Sequence, residues 1–129
     1  MTKFLMVMAG GGLGALCRYS ISLTAARYFG NRFPVGTLVA NLLGCFLIGI
    51  ALALADRTQL LSPAGRLFFM TGFLGAMTTF STYALETVQA IRSGSGLVPA
   101  MNLAANNIGG ILLVFIGMWL IQTLLRGDS

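Results

Sequence analysis

The chain has 129 residues, of which 57% are hydrophobic and only 9% are charged, and its formal net charge is +5. Soluble domains usually carry about 25% charged residues, so this composition excludes an ordinary water-facing surface and favours a membrane domain. The basic residues are spread singly along the chain, a pattern typical of loops beside lipid headgroups. With no basic patch in the sequence, we expect membrane lipid as a partner and no nucleic acid.

Four long apolar runs follow one another at residues 4–28, 36–55, 66–91 and 98–125. Each reaches the ~20 residues that a helix needs to cross a bilayer. Turn-forming and charged residues separate the runs. We therefore predict one domain over residues 1–129, an all-α membrane protein with four transmembrane helices.

The first run is predicted to be a retained helix, although Lys3 precedes its apolar residues as in a signal peptide. No clear cleavage site precedes a soluble domain, and three further runs follow. Arg18 lies deep in this run, where a charge is costly. Two readings of Arg18 remain open: it faces a bundle interior or a water-filled cavity, or it extends to the headgroups.

Glycines in the first run have the spacing of a dinucleotide-binding motif, with Gly10, Gly12 and Ala15 as G-x-G-x-x-A. That motif needs an acidic residue about 20 positions further on, and the next acid, Asp56, is too distant. Gly10 and Gly14 also form a small-x-x-x-small face, which lets membrane helices approach closely. We interpret the glycines as helix packing.

The second run contains Asn41, an amide that would be costly in lipid without a partner. Its NH₂ group can donate to an anion, so we favour a place along a pore over hydrogen bonding between helices. Ala40 and Gly44 in this run, with Gly109 and Gly110 in the fourth, predict further close approach of helices.

The third run contains the stretch GFLGAMTTFSTYALE at residues 72–86, which places five hydroxyls and one carboxylate among apolar residues. On a continuous helix the rings of Phe80 and Tyr83 would be neighbours, three positions apart. A polar stripe would lie beside them. Its members are Thr78, Ser81, Thr82 and Glu86.

Gly72 and Gly75, followed by this Thr/Ser cluster, indicate a break in the third helix. Irregular backbone at membrane depth is tolerated only inside protein or along a cavity. Unwound carbonyls bind cations and free N–H groups favour anions, so a break predicts an ion site.

The fourth run contains three asparagines. Asn102 and Asn106 are four positions apart and share a helix face, whereas Asn107 would be turned well away. The shared pair lines the same path or links helices. Cys17 and Cys45 lie inside apolar runs and are interpreted as small buried residues. The sequence has no histidine and no nucleophile–base pair, so we expect no enzyme.

Basic residues are almost evenly divided between the two membrane sides that four crossings would create. The positive-inside rule needs an excess on one side, so we predict insertion in both orientations, with a fixed topology set by other features as the alternative. Dual insertion implies an antiparallel pair of identical chains. Side A carries Lys3, Arg57, Arg66 and Arg126, and side B carries Arg27, Arg32 and Arg92.

Hydroxyls, an amide and ring edges together suit a small anion, because they donate hydrogen bonds or present positive potential without a fixed charge that would trap it. These arguments favour a small oligomeric membrane protein with a path for an ion or small polar solute. They do not identify the ion.

The sequence resembles the CrcB/Fluc fluoride channel family along essentially the whole chain. TGFLGAMTTFSTYALE at 71–86 is similar to the family signature TGFxGGxTTFSTFxxE, and GGGLGALCRY at 10–19 and PVGTLVANLLG at 34–44 support it in the same order. The resemblance implies an antiparallel, dual-topology homodimer in the cell (inner) membrane, with a broken third helix and two fluoride pathways. The implied role is passive export of cytoplasmic fluoride, which gives fluoride resistance.

The resemblance also assigns roles to individual residues. The backbone carbonyls of Gly75 and Thr78 from both subunits would hold a structural sodium ion. The fluoride pathway would include Asn41, the ring edges of Phe80 and Tyr83, and the hydroxyls of Ser81 and Thr82. Pore or structural roles are expected for a second set of residues: Arg18, Thr79, Glu86, Asn102 and Asn106.

Two positions depart from the family pattern. Tyr83 stands where phenylalanine is usual, so its hydroxyl is free to bond the ion or a neighbouring helix, and Ala76 replaces a common glycine. The main alternative is a four-helix, dual-topology multidrug-type transporter. That class needs a carboxylate in the first span, where this chain has Arg18. A scaffold subunit is a further alternative and would not need the clustered hydroxyls.

Overall fold

A computed structural model describes residues 1–126 and shows five helical elements. They are α1 (Thr2–Phe29), α2 (Val35–Arg57), α3 (residues 63–77), α4 (Phe80–Arg92) and α5 (Val98–Arg126). No strand occurs among these residues, so the all-α prediction is confirmed. The elements α1, α2 and α5 are each long and apolar enough to cross a membrane, and α3 and α4 are the two parts of the third predicted span.

Two of the helices contain π-helical segments. In α3 an α-helical turn (Pro63–Arg66) is followed by a π-helical segment (Leu67–Leu74) and a last α-helical turn (Gly75–Met77). In α5 the π-helical segment is Ala105–Gly109. Such segments are rare and change which side chains share a face of the helix.

Small residues bring α1 and α3 into backbone contact. A Cβ atom added to Gly10 would lie 2.0 Å from the carbonyl oxygen of Phe68, and one added to Gly14 would lie 2.0 Å from that of Phe73. No side chain fits at either position. The interpretation of Gly10 and Gly14 as a packing face is therefore confirmed.

The same arrangement joins α2 to α5. A Cβ atom on Gly49 would lie 2.2 Å from the carbonyl oxygen of Val114, and one on Gly117 would lie 2.4 Å from that of Phe46. Ala40 of α2 is fully buried. These contacts join the backbones of α1 and α3, and those of α2 and α5, directly.

The chain between α3 and α4 is not helical. Thr78 (φ −82°, ψ 153°) and Thr79 (φ −151°, ψ 116°) are extended, and Thr79 caps α4 by accepting a hydrogen bond from the N–H of Thr82. The break predicted from Gly72, Gly75 and the Thr/Ser cluster is present, and it lies in the cluster, while Gly72 and Gly75 lie in helical segments. Gly72 instead allows contact with α1, since an added Cβ would lie 2.8 Å from the carbonyl oxygen of Val7.

Candidate functional site

The amide of Asn41 holds the break open. Its Oδ1 accepts a hydrogen bond from the backbone N–H of Thr79 at 2.7 Å, and its Nδ2 donates to the carbonyl of Thr79 at 3.2 Å. Nδ2 also donates to Oδ1 of Asn106 at 2.8 Å. The side chain thus pairs with the extended backbone as a neighbouring strand would, and replaces the hydrogen bonds that a helix would make there.

This pairing removes the helical partners of two carbonyls. In a continuous α-helix the N–H of Thr79 would donate to the carbonyl of Gly75, and the N–H of Thr82 to that of Thr78. Here those N–H groups donate to Asn41 Oδ1 and to the hydroxyl of Thr79. The carbonyls of Gly75 and Thr78 are therefore left for other partners at the same point of the fold.

Arg18 reaches the break from α1. Its Nε donates to the carbonyl of Ala76 at 3.1 Å, and the side chain is half-buried. Of the two readings of Arg18, contact with the bundle interior is the one that the structure shows. The guanidinium places a positive charge beside the freed backbone, where it favours carbonyl oxygens and anions alike.

A series of hydrogen-bonded side chains connects the break, through α5, to α4. Asn106 Nδ2 donates to both the carbonyl and Oδ1 of Asn102, at 3.0 and 2.9 Å. Asn102, which is 1% exposed, donates to the hydroxyl of Thr87 at 2.9 Å. Thr87 in turn donates to the carbonyl of Tyr83 at 2.8 Å. Asn102 and Asn106 therefore link helices, one of the two roles left open for them.

The expectation that Asn107 is turned away from this region is wrong. Its Nδ2 donates to the hydroxyl of Tyr83 and to the carbonyl of Leu103, both at 2.8 Å. Asn106 and Asn107 both lie in the π-helical segment of α5. Two consecutive residues thus contact two different helices, Asn106 on α2 and Asn107 on α4.

The hydroxyls form a cluster at the start of α4 and not one continuous stripe. Thr79 Oγ1 donates to Thr82 Oγ1 at 3.0 Å and lies 3.3 Å from Ser81 Oγ. Thr78 is separate, since its hydroxyl bonds back to the carbonyl of Leu74 at 3.0 Å. The break moves Thr78 off the α4 axis, so the stripe expected on a continuous helix does not include it.

The rings of Phe80 and Tyr83 meet edge to face, with centroids 5.4 Å apart and an interplanar angle of 66°. The contact between the two rings that their spacing predicted is therefore present. Phe80 is 77% exposed on this chain, whereas Tyr83 is 6% exposed. Both rings, with Thr79 and Asn106, line an open cavity of about 360 Å³ next to the break.

Glu86 lies beyond the hydroxyl cluster on α4. Its Oε1 accepts a hydrogen bond from Thr37 of α2 at 2.7 Å, and its Oε2 is buried without a partner among residues 1–126. Both residues line a second cavity, of about 500 Å³, between the α1–α2 and α4–α5 loops. Arg32 and Gln89 also line that cavity, which is therefore polar.

Comparison with known proteins identifies the fold family. Residues 5–118 match the family model described as CrcB-like protein, Camphor Resistance (CrcB). The chain belongs to the CrcB family. It is 46% identical over 116 residues to a protein of Acidobacterium capsulatum named fluoride-specific ion channel FluC, covering 90% of this chain and 93% of that protein.

Two other relatives bear the same name. The Salinibacter ruber protein is 43% identical over 127 residues, covering 98% of this chain and 95% of its own. The Maridesulfovibrio salexigens protein is 40% identical over 118 residues, covering 92% and 94%. With its apolar helices, this CrcB-family chain is a membrane-embedded protein.

The break brings together most of the residues singled out in the sequence, and their functional roles stay predictions. Asn41, Thr79, Phe80, Tyr83 and Asn106 share one cavity. Ser81 and Thr82 adjoin it through Thr79. Sequence reasoning missed Thr87 and Asn107, which both donate hydrogen bonds to Tyr83. It also missed Thr37, which donates to Glu86 beside the second cavity.

Proposed function

We propose that this CrcB-family protein is a fluoride-selective channel that lets cytoplasmic fluoride leave the cell passively and so gives fluoride resistance. The observation that carries the proposal is the helix break inside a stretch shared with a family whose relatives are named fluoride-specific ion channels. The cell (inner) membrane is the expected site, because export acts on the cytoplasmic pool.

The chemistry around the break suits fluoride. The hydroxyls of Ser81 and Thr82 are donors, and the ring edges of Phe80 and Tyr83 carry positive potential. Each of these groups attracts an anion less strongly than a positively charged side chain would. Weak and repeated sites let a small anion enter and also leave, which conduction requires.

A structural sodium ion fits the freed backbone. Hard cations prefer oxygen ligands, and the carbonyls of Gly75 and Thr78 have lost the N–H partners that a helix would supply. Gly75 is exposed on the isolated chain. Two carbonyls from each of two chains would give four oxygens, and the ion would hold the two breaks together.

The assembly proposed for this same surface is an antiparallel homodimer. Phe80 projects from it with 77% of its surface exposed, and the cavity beside it is open. A second copy related by a two-fold axis in the membrane plane would cover both and bring the two Gly75–Thr78 segments face to face. Two copies would give two equivalent fluoride paths.

The multidrug-type transporter remains the alternative to test. Its first span needs a carboxylate, and α1 contains none, while Glu86 accepts a hydrogen bond from Thr37 in a different part of the bundle. A scaffold subunit would have no need of the donor cluster at the break. Neither class is favoured by an observation of its own.

The test is efflux from liposomes that hold the purified protein and potassium fluoride or potassium chloride. Valinomycin supplies the counter-current, and ion-selective electrodes record release. We expect fast fluoride release and chloride release at the rate of protein-free liposomes. Equal release of both anions, or release that requires a proton gradient, would contradict a fluoride-selective channel.

A further inference from the structure

The orientation of the Asn107 amide is fixed by its own helix. One amide atom lies 2.8 Å from the carbonyl oxygen of Leu103, and a carbonyl can only accept a hydrogen bond. The atom at that position must therefore be the NH₂ group. The same Nδ2 lies 2.8 Å from the hydroxyl oxygen of Tyr83.

This orientation determines the direction of the Tyr83 hydroxyl bond. An amide NH₂ only donates, so the hydroxyl oxygen is the acceptor from Asn107. The hydroxyl proton must then point to some other acceptor. Among residues 1–126 the Tyr83 hydroxyl has no second hydrogen-bond partner.

The ring of Tyr83 is held from two sides. Phe80 contacts it at a centroid distance of 5.4 Å, and Asn107 holds the hydroxyl end. Tyr83 and Asn107 both line the cavity beside the break. The hydroxyl proton is therefore available next to the place where the ring edges and the hydroxyl cluster meet.

We propose that Asn107 is a positioning residue that turns the Tyr83 hydroxyl into a hydrogen-bond donor for fluoride. The inference rests on the proposed function and adds a residue to it. A hydroxyl that accepts a hydrogen bond is a stronger donor, because hydrogen bonds in a chain polarise one another. Tyr83 thus interacts with fluoride through its O–H group as well as through its ring edge.

Asn106 and Asn107 both lie in the π-helical segment of α5. Asn106 contacts Asn41 on α2 while the next residue, Asn107, contacts Tyr83 on α4. The same segment therefore supports both the break and the donor hydroxyl.

The test is a double-mutant cycle of Asn107→Leu and Tyr83→Phe, with fluoride efflux measured per active channel in liposomes. Leucine keeps roughly the shape of asparagine and removes the donor. A hydrogen bond to an ion is stronger than one between neutral groups. Each single variant weakens or removes such a bond to fluoride, so its flux should fall roughly tenfold. The double variant should be no slower than the slower single variant, because Asn107 is proposed to act only through the Tyr83 hydroxyl, which phenylalanine already lacks.

A spectroscopic readout separates this role from a merely structural one. The Raman doublet of tyrosine reports whether its hydroxyl donates, and subtraction of the Tyr83→Phe spectrum isolates Tyr83 from the other two tyrosines. The Tyr83 doublet of the unmodified protein should change between chloride and fluoride solutions, and the change should shrink in Asn107→Leu.

The proposal is wrong if the flux losses of the two single variants multiply in the double variant. It is also wrong if the Tyr83 doublet is the same in chloride and fluoride solutions. The second measurement needs no altered Asn107, so it decides the matter even when Asn107→Leu does not fold. Failure of the unmodified protein to release fluoride would instead overturn the proposed function. The two failures are therefore distinguishable.

Discussion

Asn41 is the residue at which a change should be most damaging, because it replaces the missing helical hydrogen bonds at the break. In Asn41→Asp the oxygen that replaces Nδ2 would face two acceptors, the carbonyl of Thr79 and Oδ1 of Asn106, which now lie 3.2 and 2.8 Å away. Both acceptors lose their donor. A fully buried group left unpaired costs about 1–3 kcal/mol, and these two are partly buried beside an open cavity, so the loss of stability is at most about 2–6 kcal/mol.

Asn41→Leu is the matched comparison. It leaves the N–H of Thr79 unpaired as well, so its expected loss is about 3–9 kcal/mol by the same rule, reduced where water from the cavity replaces the bonds. Only the aspartate adds a negative charge in a site of low dielectric, where it would repel an anion. Fluoride flux should therefore stop in Asn41→Asp and be lowered in Asn41→Leu.

The assay combines thermal unfolding of the purified protein, followed by Trp119 fluorescence, with fluoride efflux per folded channel. Both variants should unfold at lower temperature than the unmodified protein. An unchanged unfolding temperature in both would show that the Asn41 bonds do not support the break. Unmodified flux in folded Asn41→Asp would remove Asn41 from the pathway.

Three further predictions concern the break. Phe80→Ile should cut fluoride flux strongly, because an aliphatic chain has no positive ring edge; a mild effect together with a severe one in Tyr83→Phe would favour a relay of hydroxyls over two ring edges. Gly44→Val should disrupt the break, since a Cβ atom added to Gly44 would lie 2.2 Å from Thr78 Cγ2. The control is Gly12→Ala, because a Cβ atom added there meets nothing within 4 Å. Equal fluoride flux and equal dimer yield in the two variants would contradict this prediction. Replacing sodium by N-methylglucamine should lower the unfolding temperature of the dimer, and an identical temperature in both salts would count against a sodium ion at Gly75 and Thr78.

The sequence predicted the features that depend on local spacing. Apolar runs longer than a bilayer crossing predicted helices, and these form. Gly10 and Gly14 lie one helical turn apart and meet the backbone of α3. Phe80 and Tyr83 are three positions apart on α4 and contact each other. In each case the geometry of a regular helix is sufficient.

The features that were missed depend on irregular backbone or distant partners. Asn107 was excluded because its spacing differs from that of Asn102 and Asn106, and spacing along α5 does not reveal that Tyr83 of α4 lies within reach of Asn107. The break itself was predicted from Gly72, Gly75 and the Thr/Ser cluster, but the hydrogen bonds of Asn41 and the Thr79 cap at the break were not. No local pattern reveals that Asn41 pairs with the Thr79 backbone.

The orientation of the chain in the membrane gives the last prediction. Arg18 donates to the carbonyl of Ala76 inside the bundle, so it adds to neither side. Arg66 donates to the carbonyl of Ala55 and stays at side A. The four basic residues of side A and the three of side B therefore remain nearly balanced. Insertion should be divided almost evenly between the two orientations.

Three lysines added after Ser129 should break this balance, because C-terminal charges can set a topology, and the termini would then stay in the cytoplasm. A chain with one orientation has no oppositely inserted copy to pair with, so fluoride resistance of a sensitive host should fall. Lysines added between Gly30 and Arg32 should hold a second variant in the opposite orientation. Co-expression of the two should restore growth in fluoride, since together they supply both halves of an antiparallel dimer. Full resistance from either variant alone would show that a parallel assembly conducts, and the two-fold axis in the membrane plane would have to be abandoned.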